Sequence, residues 1–322
     1  MRILLLTNDD QEGGLISTLR AAVPGDEVVL PPSRTSEAVR ELLPSVDVVV
    51  GDWTFELTLG AAEAELAPHL RLVQQPSVGT NCIDVDAWAR VGVPVANTPG
   101  ANAASVAEWA VVAAATVSRK MMWADTKMRE QGWPQWAVLK RGSRDLGDRR
   151  VGILGFGEIG SRCATLFEAF GCAVAYTARR PRPIASARYL PLDDLLAESD
   201  ILVVAVPLTA ETRGLVGSRE LGLMPPDSIV VNVARGPVVD EIALTEALRS
   251  GRVGGAALDV FNSEPLASDN PLRSLDNVLL SPHVAGGSDT ARRRICDMAA
   301  LNVARVSKGF PPLWTLATTV SL

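Results

Sequence analysis

The sequence is short of three things: excess positive charge, long apolar runs and metal-ligand groupings. Lys and Arg number 31 against 37 Asp and Glu in 322 residues, a formal net charge of −6. A nucleic-acid partner calls for the opposite balance, to meet phosphates. No apolar run reaches the ~20 residues of a membrane span. The run over 103–117 is Ala-rich but short, and it carries Glu108. The N-terminal apolar stretch ends early, in Thr7-Asn8-Asp9-Asp10; a signal peptide would need more, so it reads as a buried strand and a loop. Cys82, Cys163, Cys172 and Cys296 form no CxxC pair and no ligand-like group with a histidine. They read as reduced thiols of a cytoplasmic protein that holds no metal. Disorder is excluded as well, since 47% of the chain is hydrophobic and 21% charged, an ordinary globular composition.

At roughly 150 residues per domain the length allows two domains, each able to bury a core without staples. The first hundred residues alternate apolar runs at 3–6, 27–30, 46–51 and 70–74 with helix-like stretches at 14–22, 36–43 and 58–67. Apolar runs without polar alternation suit parallel strands covered on both faces. After the punctuation Asn97-Thr98-Pro99-Gly100 a long helix is expected over 103–130, broken at Gly132-Trp133-Pro134. A second alternating series begins past Gly147, with strands at 151–154, 173–177, 201–205, 229–233, 255–261 and 278–280. Its helices are expected at 157–170, 191–197, 218–223 and 241–250, and a last helix near 290–307. The fold class is α/β, with the doubly wound parallel-sheet type occurring twice.

Gly155-Phe156-Gly157-Glu158-Ile159-Gly160 is a GxGxxG that follows an apolar strand and opens an apolar helix. The first glycine permits the tight turn, the second lets backbone approach a pyrophosphate, and the third lets helix pack on strand. The helix N-terminus then offers free N–H groups to the phosphates. The next strand ends at Thr177, where an NAD-binding fold places an acid for the ribose 2′-hydroxyl. Here the chain instead reads Thr177-Ala178-Arg179-Arg180-Pro181-Arg182-Pro183. Guanidinium groups chelate a 2′-phosphate that a carboxylate would repel, so NADP(H) is expected over NAD(H). The alternative is a solvated basic loop.

Of the two histidines, His69 has no obvious partner and reads as a surface or core residue. His283 lies just past a strand, as do Arg235 and Glu264. Parallel strands aim their C-terminal ends at one ligand crevice, so the three can converge. Reduction of a 2-oxo acid needs a hydride on carbon, a proton on oxygen and a grip on the carboxylate. His283 can supply the proton, Glu264 would fix its tautomer and compensate its charge, and Arg235 can clamp the carboxylate and polarise the carbonyl.

These residues, with Thr98-Pro99-Gly100, Val106-Ala107-Glu108, Val206-Pro207-Leu208-Thr209, Val231–Gly236, Ala257–Phe261, Glu264-Pro265 and Ser281-Pro282-His283, carry a resemblance through nearly the whole chain. It resembles the D-isomer-specific 2-hydroxyacid dehydrogenases, in particular their glyoxylate/hydroxypyruvate reductases. The resemblance implies that Arg235, Glu264 and His283 are the catalytic arginine, glutamate and histidine, and that Asp259 holds the nicotinamide carboxamide. It places Val206, Pro207 and Thr212 on the adenosine side and adds Val233, Ala234, Ala285 and Gly286 to the cofactor contacts. Read alone, Val206-Pro207 is a strand end and Asp259 a capping or loop acid. Ser77-Val78-Gly79 resembles the loop whose backbone amides receive the substrate carboxylate, and Val78 stands where phosphite-oxidising relatives carry lysine.

From the resemblance follow a flavodoxin-like substrate domain, 1–98 and 288–322, and a Rossmann cofactor domain, 99–287. It further implies a homodimer built on the helix from Ala103 and the arm carrying Trp123, Trp133 and Trp136, although those aromatics could equally be core. The expected activity is hydride transfer between NADP(H) and a small 2-oxo or D-2-hydroxy acid. The alternatives are the same chemistry with NAD(H), or a dinucleotide-sensing, corepressor-like binding protein that has no turnover.

Overall fold

The computed structural model describes residues 1–7, 14–130, 132–182 and 187–317; the loop expected at Asn8-Asp9-Asp10 and the end of the basic segment at Pro183 lie outside them. The chain divides into two compact units, one of residues 1–102 with 288–322 and one of residues 103–287.

The N-terminal unit runs β1 (Arg2–Leu5), α1 (Leu15–Ala22), β2 (Glu27–Val29), α2 (Ser36–Leu42), β3 (Val48–Val50), α3 (Ala61–Glu65), β4 (Leu72–Gln74), α4 (Val85–Arg90) and β5 (Val95–Ala96). The strands form one parallel sheet in the order β2-β1-β3-β4-β5, the flavodoxin-like winding. β3 is Val48-Val49-Val50, all buried, because helices cover both faces of the sheet and no position turns to water. The short β5 and α4 escape the sequence pattern, being too brief to show a period.

The central unit runs α5 (Ala103–Ser118), α6 (Met121–Arg129), α7 (Gln135–Lys140), β6 (Arg150–Leu154), α8 (Glu158–Ala169), β7 (Ala173–Thr177), β8 (Arg188–Tyr189), α9 (Leu192–Glu198), β9 (Ile201–Val204), α10 (Ser218–Leu223), β10 (Ile229–Asn232), α11 (Glu241–Arg249), β11 (Gly255–Leu258) and β12 (Val278–Leu280). Its parallel sheet has the order β12-β11-β10-β9-β6-β7-β8, a Rossmann winding that reverses between β6 and β9. Alternate residues feed opposite layers. Val151, Ile153, Ile201 and Val203 pack with α5 and α8, whereas Leu154, Leu202 and Val204 pack with α9 to α11. The closing helix α12 (Asp289–Ser307) belongs to the N-terminal unit. There Ala299, Ala300 and Val303 cover β1 and β3, and buried Asn302 donates to Gln74 Oε1 at 2.7 Å.

Two expectations need correction. The single helix over 103–130 is two helices: α5 ends at Ser118, whose hydroxyl donates to Arg144 O at 3.0 Å, and Lys120 turns left-handed (φ 54°) before α6. The strands expected to reach 233 and 261 stop at Asn232 and Leu258. Past those points side-chain hydrogen bonds take over from the ladder, and those bonds build the site.

Candidate active site

The glycine turn sits at the reversal point of the central sheet. Gly155 takes φ 100°, and a Cβ there would lie 2.7 Å from Ala205 O and 2.8 Å from Val206 Cγ1. A Cβ at Gly160 would collide with the Gly155 carbonyl, so helix and turn touch only because both residues are bare. Gly157 differs, since nothing lies within 4 Å of its missing Cβ. It caps α8 with no side chain bonded to the first-turn amides. The cradle is open where a pyrophosphate would need it. Phe156 is buried and stacks on Tyr176 with ring centroids 3.9 Å apart.

The basic segment after β7 is pinned at both ends. Tyr176 is buried, and its hydroxyl accepts from Arg182 N at 2.7 Å and donates to Arg182 O at 3.3 Å. Between these anchors Thr177 and Ala178 are half-buried and Arg179 and Arg180 exposed. The loop after β9 is closed on itself: Thr212 Oγ1 donates to Pro207 O at 2.6 Å and accepts from Thr209 N at 2.8 Å. Thr212 therefore shapes this loop, while Val206 leans on the core. The exposed Glu211 carboxyl is held below its ordinary value, first by a Thr209 hydroxyl bond and least by the charge of Arg179.

Past β10, Asn232 folds the chain back, its Oδ1 accepting from Ala234 N at 3.1 Å and its Nδ2 donating to Arg235 O at 3.3 Å. The side chains of Val233 and Ala234 are buried in the two core layers. Arg235 is half-buried and donates to Ala234 O at 2.7 Å; burial lowers its pKa, against the opposing pull of Glu264. A side chain at Gly236 would collide with the Phe261 carbonyl. The glycine thus allows the arginine loop and the loop that carries Glu264 to meet backbone to backbone.

Glu264 and His283 are in direct contact. Glu264 Oε2 lies 2.7 Å from His283 Nδ1, and its Oε1 accepts from Phe261 N at 2.9 Å. Burial raises the Glu264 pKa, but the bonds from His283 and Phe261, with the charges of His283 and Arg235, outweigh it and hold the carboxyl below its usual value. Nδ1 is the bonded nitrogen; Nε2 has no hydrogen-bond partner among the described residues. His283 takes φ 55°, a costly conformation for a residue with a Cβ. Asp259 holds it there. Its buried carboxylate accepts from Ser281 Oγ, Val284 N (2.8 Å) and Ala285 N (2.9 Å), and its carbonyl accepts from His283 N at 2.8 Å. Burial raises the Asp259 pKa against these bonds. Ala285 is buried and Gly286 half-buried in the same loop.

In the N-terminal unit, the Ser77 hydroxyl donates to Gly79 O (2.7 Å) and accepts from Gln75 Nε2 (2.9 Å), while Asn97 Nδ2 donates to Val78 O (2.8 Å). With their carbonyls tied down, the Val78 and Gly79 N–H groups donate to nothing among the described residues. His69 is exposed.

Sequence reasoning assigned no part to Asn232 or Tyr176. The only available signal was a polar side chain inside or ending an otherwise apolar strand, and its partner is not readable from that.

Residues 111–285 match the family described as D-isomer specific 2-hydroxyacid dehydrogenase, NAD binding domain. A glyoxylate reductase of Aeropyrum pernix is 43% identical over 259 residues, covering 76% of each chain. A solved NADPH-dependent glyoxylate/hydroxypyruvate reductase from Sinorhizobium meliloti, in complex with NADP and malonate, superimposes with TM-score 0.84 at 30% identity, covering 98% of this chain and 96% of that one. An NAD-dependent formate dehydrogenase from Staphylococcus aureus, in complex with NAD, gives TM-score 0.86 at 25% identity over 100% of both chains.

Proposed function

This chain belongs to the D-isomer-specific 2-hydroxyacid dehydrogenase family, and on that premise we propose that it reduces a small 2-oxo acid of the glyoxylate or hydroxypyruvate class with NADPH. The contact between Glu264 and His283, which leaves Nε2 without a partner among the described residues, carries this reading. A proton on Nδ1 directed at the carboxylate leaves Nε2 as the nitrogen that exchanges a proton with the substrate oxygen. Arg235 would grip the carboxylate of the substrate and polarise its carbonyl, with the half-buried setting strengthening both effects. In the N-terminal unit, the Val78 and Gly79 amides, which donate to nothing among the described residues, are neutral donors of the kind a substrate carboxylate takes.

A nicotinamide dinucleotide, when bound, supplies or accepts the hydride. The open Cβ position of Gly157 and the uncapped α8 N-terminus fit its pyrophosphate. For the 2′-phosphate, support comes from Arg179 and Arg180, exposed on a loop whose ends are fixed by Tyr176, where NAD-binding folds carry an acid. Thr177, Ala178, Val206, Pro207 and Thr212 would border the adenosine. Asp259 is tied to the loop that carries His283 and would serve the carboxamide from there.

A homodimer is part of the proposal. Trp133, Trp136 and Leu139 are 79%, 70% and 60% exposed on and beside α7, an apolar surface of the kind that marks association. The four free, buried thiols fit a reducing, cytoplasmic setting.

The deciding experiment assays a panel of 2-oxo acids with NADPH and NADH side by side. Turnover of glyoxylate or hydroxypyruvate with a clear NADPH advantage is expected. Absence of turnover across the panel, with dinucleotide still bound, would replace the enzyme by a sensor. Equal or better rates with NADH would remove the cofactor assignment alone.

A further inference from the structure

Two consecutive amides past β11 are each taken by a different carboxylate. Phe261 N donates to Glu264 Oε1 at 2.9 Å, and Asn262 N donates to Glu241 Oε2 at 3.1 Å. Glu241 opens α11, and the start of that helix already has its cap: Asp240 Oδ1 accepts from Ile242 N at 3.0 Å and from Ala243 N at 3.1 Å. An acid in a first turn favours its helix through the dipole whatever else it touches. The half-buried Glu241 has specific partners besides, for its Oε1 accepts from Asn270 Nδ2 at 2.8 Å. One carboxylate thus closes both ends of the segment 262–270, and Glu264 lies between them.

The aim of Glu264 depends on the peptide that joins Phe261 to Asn262. Its N–H goes to Glu241, and it rests on Gly236, where a Cβ would collide with the Phe261 carbonyl. A turn of this peptide would swing Ser263 and Glu264. It would take Oε1 off the Phe261 N–H, and with it Oε2 off His283 Nδ1, now 2.7 Å away. The far half of the segment has other ties: Arg273 Nε donates to Ala267 O at 2.9 Å and its Nη2 to Leu266 O at 2.8 Å. Over 261–264 the hydrogen bonds among the described residues that hold the backbone are those to Glu264 and Glu241.

Both partners of Glu241 are donors. Leu272 N donates to Asn270 Oδ1 at 3.0 Å, which turns Nδ2 toward Glu241. A carboxylate meets two donors with two acceptors, whereas a glutamine has one acceptor and one donor and meets only one of them. We propose that Glu241 is a positioning residue for the proton-transfer pair: by holding the 261–262 peptide and Asn270 it keeps Glu264 aimed at His283. The inference rests on the reading of His283 and Glu264 as that pair. The bonds of Glu241 go to neither residue, so it acts through the loop.

The test compares variants of the full chain by kcat and KM with glyoxylate and NADPH, by melting temperature, and by NMR of the His283 ring. The chain has two histidines, so the His283 signals are identified by their loss in His283→Ala. Glu241→Gln should lower kcat about tenfold or more, the scale on which a misplaced group slows a reaction, and leave KM for NADPH little changed. Asn270→Asp, which sets two carboxylates face to face, should lose at least as much. Glu241→Gln/Asn270→Asp exchanges donor and acceptor: the glutamine oxygen accepts from Asn262 N, and its amide donates to the new carboxylate at 270. Most of the lost kcat should return. In a Glu264→Gln background, Glu241→Gln should lower the residual kcat no further, because the group it aims is gone. The His283 ring signals should move in Glu241→Gln as they do in Glu264→Gln, and return in the exchanged pair. Native kcat and ring signals in Glu241→Gln, even with a lowered melting temperature, would reduce Glu241 to a structural clamp and overturn the proposal. So would an exchanged pair no better than its single changes, or an undiminished further loss in the Glu264→Gln background. The underlying reading fails separately, by native turnover in His283→Ala or by no turnover in the native chain; the ring signals then decide alone whether Glu241 aims Glu264.

Discussion

The two units share a winding type, and both place a charged cluster just past their parallel strands, yet the clusters differ in kind. In the N-terminal unit Asp52, fully buried past β3, receives Thr54 N (3.0 Å), Thr54 Oγ1 (2.7 Å), Glu56 N (3.2 Å), Leu57 N (3.1 Å) and Arg34 Nη2 (2.8 Å). Four of these bonds fall on Oδ2 and one on Oδ1, and with them the carboxylate builds a loop. In the central unit Glu264 and His283 are about one-third exposed, and the pair ends in a nitrogen with no hydrogen-bond partner among the described residues. Both units are doubly wound parallel sheets; the proposed function rests on which polar group is left incomplete.

The largest expected effect tests that incompleteness directly. His283→Ala should lower kcat by roughly 10²- to 10⁴-fold, the range of a lost general acid, while dinucleotide binding, read by fluorescence, stays near its native level. A variant that retains turnover would place the proton donor elsewhere. The basic loop comes next. Arg179→Ser with Arg180→Ser should raise KM for NADPH about 10- to 100-fold, as loss of two charge-assisted contacts implies, and leave KM for NADH little changed. Equal losses with both cofactors would mean that the arginines serve the loop and not the 2′-phosphate. Tyr176→Phe sharpens the same point. It removes the two bonds to Arg182 but keeps the ring on Phe156, so a smaller loss, again confined to NADPH, is expected.

How much of this was legible follows from the range of the interactions. The glycine turn is local, strand to turn to helix within a dozen residues, and Gly155, Gly157 and Gly160 each have a distinct job that spacing alone suggests. The two sheets were legible because buried parallel strands are uniformly apolar. What stayed hidden depends on partners distant in sequence. The use of Asp259 as the clamp of the His283 loop spans 25 residues to Val284 N, and read alone it was a capping or loop acid. The break of the long helix at Lys120 rests on a left-handed residue that is not glycine, against local preference. α7 follows Pro134, in a stretch where the breaker residues pointed to an arm and not to a helix.

A third substitution turns the comparison into a measure of stability. Asp52→Ala removes a buried carboxylate with its five donors, and should cost about 3 kcal/mol or more, in the range for breaking a buried charged pair. Chemical denaturation would read it. Because Asp52 holds a loop and moves no proton, kcat of the folded fraction should fall far less than in His283→Ala. A kcat loss as deep as that of His283→Ala, in protein shown to be folded, would make the contrast between the clusters false.

The smallest effect concerns pH. Glu264 titrates below its ordinary value when folded, so the unfolded chain binds more protons as acid is added. Its contribution to stability is therefore complete above the unfolded carboxyl value, near 4.3, and fades as pH falls through the lower folded value. Because the group is about one-third exposed, solvent screening keeps that contribution small. Glu264→Gln keeps the shape and the Phe261 bond but cannot ionise, so its stability relative to the native chain should rise as pH drops from 6 toward 3. At neutral pH the same variant should lose turnover, because an amide fixes the His283 ring less firmly and leaves an imidazolium without its counter-charge. A variant whose acid-side stability curve runs parallel to that of the native chain would show that the Glu264 carboxylate gains nothing from His283 in solution. The distinction drawn between the two clusters would then rest on exposure alone.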